Sequence, residues 1–132
     1  MILVRHYVAP SPIHGLGVFT REQAKKGDVI WRFEPTFDVE IPERLLEFLL
    51  DPYAETVRTN AEYFGSRRVF RLGNDGDIFM NHSDNPSLID LGDEMVAAWD
   101  LKVGDELTCD YRNVVVLDFS PPPKAQLKER TP

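Results

Sequence analysis

Phe79-Met80-Asn81-His82-Ser83-Asp84-Asn85-Pro86 is the most informative stretch of this chain, because it carries an apolar run directly into a polar turn. A second apolar run, Ser87 to Leu91, follows at once. Taken alone, the stretch is explained by a turn between two short strands. The three histidines of the chain have no metal-ligand spacing, and no His–Asp pair can be nominated by spacing to activate Ser83. The stretch therefore has to be interpreted together with other segments.

Two other segments carry polar groups beside apolar runs. Gly15-Leu16-Gly17 lacks the third glycine and the following helix of a dinucleotide-binding loop, so a tight turn is the simplest interpretation. Bare backbone at such a turn can also approach a ligand closely. Glu106-Leu107-Thr108-Cys109-Asp110-Tyr111 predicts a strand that ends in a tyrosine. Cys109 is not favoured as a nucleophile, because its acidic neighbours oppose formation of the thiolate.

The hydrophobic pattern predicts a mostly β domain with one clear helix. That helix covers Pro42 to Leu50, where leucines recur at helical spacing, and Pro52 is expected to stop it. Residues 53–64 are ambiguous, with an irregular second helix around Ala54 to Ala61 as one interpretation. Gly73-Asn74-Asp75-Gly76 predicts a hairpin turn. Short strands are expected over Met1–Val8, Val18–Thr20, Val29–Phe33, Thr36–Ile41, Val69–Leu72, Asp77–Met80, Ser87–Leu91, Met95–Trp99, Glu106–Cys109 and Val114–Leu117.

Composition narrows the class of protein and its partners. The 132 residues include 42% hydrophobic residues, enough for one core, and their net charge is −7. The acidic balance disfavours direct nucleic-acid binding and favours cationic ligands or basic peptides. The single cysteine, Cys109, excludes an intramolecular disulfide and a multi-cysteine zinc cluster. No apolar run reaches the roughly 18 residues of a membrane span and no leader is recognisable, so we expect a cytoplasmic protein without a membrane partner.

The three polar segments, in this order, resemble the GxG, NHS and ELTxDY motifs of SET-domain protein lysine methyltransferases. Lys26-Gly27-Asp28-Val29-Ile30 is similar to the segment that follows the first of these motifs. The resemblance runs from about residue 2 to 119, and the length is similar to that of minimal stand-alone SET proteins of bacteria and large DNA viruses. It implies several small β-sheets around a knot-like crossing, with one or two short helices. Residues 1–119 would form the SET domain, and residues 120–132 a Pro-rich tail.

The resemblance also implies a cofactor, S-adenosylmethionine, and the residues that hold it. Backbone of the glycine turn would hold the methionine part of the cofactor. The asparagine and histidine of the second motif would hold its amino-acid part and its adenine ring, and an aromatic residue after the last motif would stack on the adenine. The cofactor-binding residues implied in this way are Gly15, Leu16, Gly17, Asn81, His82 and Phe119.

By the same resemblance, Tyr111 would be the catalytic residue at the mouth of a channel for the substrate lysine. Tyr63 would line this channel. Cys109 stands where many relatives carry Phe or Tyr, a position that influences how many methyl groups are added, so the number of methyl groups stays open.

The chain departs from the family pattern after the second motif. Asp84 replaces a cysteine that commonly belongs to a zinc cluster, and Ser87 replaces an asparagine. The other cysteines of that cluster are missing too, so the resemblance implies no zinc site. Because of these departures, a non-catalytic SET-like module that binds basic peptides remains an alternative hypothesis. A structural acidic β-domain is a third hypothesis. The expected substrate is a lysine in a basic protein or peptide, and homodimerisation is a further option.

Overall fold

Short β-strands dominate the structure, a computed structural model that describes residues 1–64 and 67–113. Across these two ranges, no helix is long and apolar enough to cross a membrane. The strands are β1 (His6–Pro10), β2 (Leu16–Thr20), β3 (Val29–Arg32), β4 (Val39–Pro42), β5 (Glu62–Phe64), β6 (Val69–Leu72), β7 (Asn81–His82), β8 (Leu88–Asp90), β9 (Glu94–Ala97) and β10 (Glu106–Cys109). The helices are the α-helix α1 (Asp51–Asn60) and the 3₁₀ helices Glu43–Phe48, Gly76–Phe79 and Tyr111–Asn113.

The strands form three small sheets. Their strand orders are β1-β2-β10-β7, β3-β9-β8 and β4-β6-β5. Among these strands, β7 and β10 run parallel, whereas all the other pairs are antiparallel. This architecture confirms the expectation of a mostly β fold with several small sheets and short helices.

The main core lies where the first two sheets pack together. Val18, Ile30, Leu88 and Leu107 come from four different strands and are at most 1% exposed. Burial of each such side chain contributes about 1.5–3 kcal/mol. The first sheet therefore rests on a closely packed apolar base, which fixes the position of the polar residues at its edge.

The predicted helix is not a regular α-helix, and the regular helix covers most of the stretch around Ala54 to Ala61 where a second helix was one interpretation. The stretch Pro42–Leu50 is mostly a 3₁₀ helix, and the regular helix α1 begins at Asp51. Pro52 opens this helix instead of stopping the previous one, because proline needs no N–H partner in the first turn. A second core, beneath the helical segment, comprises Leu46, Ala54, Val57, Ala61, Tyr63 and Phe70.

The predicted hairpin after β6 was also wrong, because the chain forms the 3₁₀ helix Gly76–Phe79 where a strand was expected. The side chain of Asp75 caps this helix by accepting the N–H of Asp77 at 3.0 Å. Such a local bond offers the backbone an alternative to strand pairing. The strand over residues 69–72 was predicted correctly, but it pairs with β4 and β5.

The first strand begins at His6 rather than at Met1. The residues before it lie alongside β3 instead. Ile2 forms an antiparallel bridge with Trp31, and the N–H of Leu3 donates to the Ile30 carbonyl at 2.7 Å. The remaining predicted strands match described strands within a few residues. The strand expected over Val114–Leu117 lies outside the described residues.

A buried arginine joins the third sheet to the turn between β8 and β9. Arg71 is 3% exposed, and its Nη2 donates to Asp93 Oδ1 at 2.6 Å. Its guanidinium carbon lies 4.3 Å and 4.1 Å from the ring centroids of Phe33 and Phe64.

Glu62 lies directly opposite Arg71 in the sheet. Burial, reinforced by the charge of the nearby Asp90, raises the pKa of Glu62 from 4.5 to about 8.

Replacement of Glu62 by Gln should therefore stabilise the protein at pH 8 but not at pH 4.5. Between these pH values the folded chain retains a proton that the unfolded chain has lost, so the stability of the wild type falls as pH rises. Gln keeps the neutral form at every pH. Chemical denaturation at both pH values measures the difference, with the exposed Glu47→Gln as the control. An equal effect of Glu62→Gln at the two pH values would contradict a proton retained on Glu62.

Candidate active site

Three polar segments that are far apart in sequence meet in the first sheet. β2 contains Gly17, β7 is Asn81–His82, and β10 leads into Tyr111. β10 lies between the other two strands, antiparallel to β2 and parallel to β7. Sheet pairing therefore places the glycine turn, the histidine and the tyrosine along one edge of the domain.

Asn81 ties β7 to the glycine turn. Its side chain is buried, 6% exposed, and its Nδ2 donates to the carbonyls of His14 and Leu16 at 3.0 and 3.2 Å. The N–H of Ser11 donates to the Gly15 carbonyl at 2.8 Å and closes the turn, in which Gly15 has a φ of 44°. That conformation favours glycine. Asn81 thus positions the turn, and its direct contact with a cofactor stays a prediction.

Gly17 is required by packing on the opposite side of the turn. A Cβ at this position would lie 2.8 Å from Glu106 Oε1 and 3.0 Å from the Ser11 Cβ. The Glu106 carboxylate cannot easily move away, because Oε1 accepts a 2.5 Å hydrogen bond from Ser11 Oγ. The glycine therefore allows β2, β10 and the turn to approach one another closely.

Tyr111 is held at both its main chain and its hydroxyl. Its N–H donates to His82 Nδ1 at 3.0 Å, and the centroids of the two rings are 5.5 Å apart. Its hydroxyl donates to the Met80 carbonyl at 2.6 Å. Two separate hydrogen bonds to the segment around β7 therefore fix both the backbone and the ring of Tyr111.

His82 has a carboxylate partner that sequence spacing did not indicate. Its Nε2 lies 2.8 Å from Oδ1 of Asp84, two residues further along the chain. Spacing had nominated no His–Asp pair, whereas the structure brings this one together. A histidine followed two residues later by an aspartate at a turn was the available signal, because a tight turn brings such side chains back together.

Asp110 and Arg112 add charge beside the His82 ring. Arg112 donates to both carboxylate oxygens of Asp110, through Nε and Nη2, each at 2.8 Å. These hydrogen bonds from Arg112 lower the pKa of Asp110. Asp110 is therefore ionised at neutral pH.

Comparison with known protein families decides which family this arrangement belongs to. Residues 15–112 match the family model of the SET domain. The chain belongs to the SET-domain family. The matched range includes the glycine turn, Asn81, His82 and Tyr111, so all three paired segments are part of the SET domain. A search of curated proteins found no match.

Solved structures share the fold of this SET domain. A Plasmodium falciparum protein described as a histone methyltransferase superposes with a TM-score of 0.57 at 21% identity, over 83% of this chain and 95% of that one. A humanized mutant of the Chaetomium thermophilum Polycomb Repressive Complex 2, bound to an inhibitor, gives a TM-score of 0.63 at 17% identity. An apo form of ctPRC2 with two mutations in Ezh2 gives 0.68 at 16% identity. This chain aligns over 86% and 87% of its length in the last two but covers 16% of those chains.

The other predicted site residues of the SET domain fall in different places. Cys109 is buried in the main core opposite His82, and Tyr111 packs against the same core. Tyr63 instead belongs to the second core, where its hydroxyl donates to Glu43 Oε2 at 3.0 Å. Burial and this hydrogen bond raise the pKa of Tyr63. The substrate-binding roles of Cys109 and Tyr63 stay predictions, and Phe119 lies outside the described residues.

The oxygen atoms at this edge would suit a cationic ligand. The Met80 carbonyl, the Tyr111 hydroxyl and the carboxylates of Asp84 and Asp110 are all oxygen acceptors. S-adenosylmethionine carries a sulfonium, an ammonium and a carboxylate group, so its net positive charge would suit this set of acceptors. In the part of the chain that the structure describes, no group of three His, Cys, Asp or Glu side chains is arranged to hold a metal ion.

Replacement of Asn81 by Ala should lower the free energy of unfolding by about 1–3 kcal/mol, because the part-buried carbonyls of His14 and Leu16 would lose their donor. Urea denaturation measures this change. Asn60→Ala is the matched control, since Asn60 also donates to a carbonyl, that of Thr56, but is exposed. Equal effects of the two substitutions would contradict the positioning role of Asn81.

Proposed function

We propose that this SET domain transfers a methyl group from S-adenosylmethionine to the side-chain amine of a lysine in a basic protein or peptide. The observation that carries the proposal is the placement of Tyr111. Its hydroxyl is anchored to the Met80 carbonyl and its main chain to His82, beside the glycine turn. A fixed tyrosine hydroxyl at the edge of the motif-bearing sheet supports an orienting role for it in the reaction.

The glycine turn and β7 would hold the cofactor. Gly15 has no side chain, so the backbone of the turn can approach a ligand closely. Asn81 keeps the carbonyls of His14 and Leu16 in place, and His82 follows Asn81 on the same strand. S-adenosylmethionine, when bound, supplies a methyl group that its sulfonium centre already activates.

Tyr111 would orient the attacking amine. Its hydroxyl proton points to the Met80 carbonyl, so the hydroxyl oxygen acts as an acceptor towards other groups. A neutral lysine amine that donates an N–H to this oxygen has its lone pair directed by the contact, which favours in-line attack. The ring would exclude water from one wall of the lysine channel.

The charge of the domain supports a basic substrate. The chain carries a net charge of −7, and the carboxylates of Asp84 and Asp110 lie next to His82 and Tyr111. The Asp84 side chain is 42% exposed, so its charge is accessible from solvent. A negative field at the site raises the local concentration of cationic peptides.

Replacement of Tyr111 by Phe should reduce the rate of methyl transfer by about 10²–10³-fold while it leaves the affinity for S-adenosylmethionine within a few-fold. The phenyl ring preserves the packing, whereas the loss of the hydroxyl removes a contact that matters mainly in the transition state. Single-turnover methylation of a lysine peptide measures the rate, and calorimetry measures the affinity. Tyr53→Phe, at a site 63% exposed, is the matched control.

Full activity of Tyr111→Phe would contradict this role of the hydroxyl. A joint loss of melting temperature, cofactor affinity and activity would instead identify Tyr111 as a packing residue. A wild-type protein that binds the cofactor and basic peptides but methylates no peptide would favour the non-catalytic binding module.

A further inference from the structure

Both ring nitrogens of His82 form hydrogen bonds within the protein. A backbone N–H can only donate, so Nδ1 must accept the hydrogen bond from the N–H of Tyr111. In the neutral ring the proton then lies on Nε2, where it donates to Asp84 Oδ1 at 2.8 Å. The two contacts together assign one tautomer to His82.

The opposite tautomer does not fit these surroundings. A proton on Nδ1 would face the N–H of Tyr111 across 3.0 Å, and the bare Nε2 would face the Asp84 carboxylate across 2.8 Å. Both contacts would be repulsive. The His82 side chain is 8% exposed, so water has little access to relieve them.

A second carboxylate competes for the ring. Asp110 Oδ1 lies 3.7 Å from His82 Nδ1, close enough to accept a proton from Nδ1 after a small shift. Arg112 binds Asp110 through two hydrogen bonds, and its Nη2 lies 3.7 Å from Asp84 Oδ1. Two carboxylates and one guanidinium thus surround the ring, and Asp84 is the carboxylate on the Nε2 side.

The geometry points to Asp84 as a positioning residue that holds His82 in the tautomer whose Nδ1 accepts the N–H of Tyr111. Asp84 thereby fixes the main chain of Tyr111 where β10 ends. The consequence for methyl transfer rests on the proposed function, whereas the tautomer does not depend on any activity. Without Asp84, Asp110 can draw the proton to Nδ1, and the N–H of Tyr111 then loses its acceptor.

The direct test is ¹⁵N NMR of histidine-labelled protein, recorded as a function of pH so that the neutral form of the ring is observed. The chain has three histidines, so the loss of one pair of ring-nitrogen signals in His82→Gln assigns the His82 ring. In the wild type, Nδ1 should be the unprotonated nitrogen and Nε2 the protonated one. In Asp84→Ala the proton should move to Nδ1, whereas Asp84→Asn should retain the wild-type tautomer, because its amide oxygen still accepts from Nε2.

Kinetics supplies a second measurement on the same variants. Asp84→Ala should lower kcat for methyl transfer about tenfold, the effect of one hydrogen bond to a charged group, with KM for the peptide changed less. Asp84→Asn should recover most of that loss. Glu55→Ala, which removes an exposed carboxylate on α1, controls for the change in net charge.

Three results would overturn the inference. They are a wild-type ring protonated on Nδ1, a tautomer unchanged in folded Asp84→Ala, and equal kinetics of the Asp84→Ala and Asp84→Asn variants when both are less active than the wild type. The first needs no variant and therefore holds even if a variant fails to fold. If the wild type methylates nothing, the proposed function fails, yet the NMR result still decides the tautomer.

Discussion

The parallel pairing of β7 with β10 is the constraint on which the site depends. Thr108 lies opposite Asn81 and Cys109 opposite His82, over a strand only two residues long. A parallel pair cannot be closed by a hairpin and needs a long crossover, which β8 and β9 provide here. Such a short pairing needs additional support from side chains.

Ser87 and Thr108 supply that support. The N–H of Ser87 donates to Thr108 Oγ1, the N–H of Thr108 donates to Ser87 Oγ, and Ser87 Oγ donates to the Glu106 carbonyl, each at 2.9 Å. Both residues are buried, where unsatisfied polar groups would be costly. The serine that departs from the family pattern therefore fastens the end of the second motif to β10, and this keeps His82 and Tyr111 within contact.

The sequence predicted the fold well where residues interact with near neighbours or follow a recognised motif. The order of the three motifs led to the correct family, and alternating apolar residues located most strands. It failed where a tertiary or capping contact decided the outcome. Pro52 was assigned to the end of a helix although it opens one, and the Asp75 cap turned an expected strand into a 3₁₀ helix.

The same contrast applies to the site: residues in the motifs were predicted, and a contact that depends on the fold was not. The resemblance selected Asn81, His82 and Tyr111, and the structure brings the three together. It treated Asp84 only as a departure from the family, because its contact with the His82 ring cannot be seen without the turn between them. Tyr63 packs in the second core against Phe70, at 5.1 Å between ring centroids, and its place in the lysine channel stays a prediction. Nothing in its local sequence indicated this packing.

The central claim is that the edge formed by these segments catalyses methyl transfer to lysine. The most direct measurement is mass spectrometry of an array of basic peptides incubated with the wild-type protein and S-adenosylmethionine, after calorimetry has shown that the cofactor binds. The account predicts methyl groups on lysine side chains and none on matched peptides in which arginine replaces every lysine. Cofactor binding without methylation of any lysine peptide, or methyl groups only on other side chains, would contradict it.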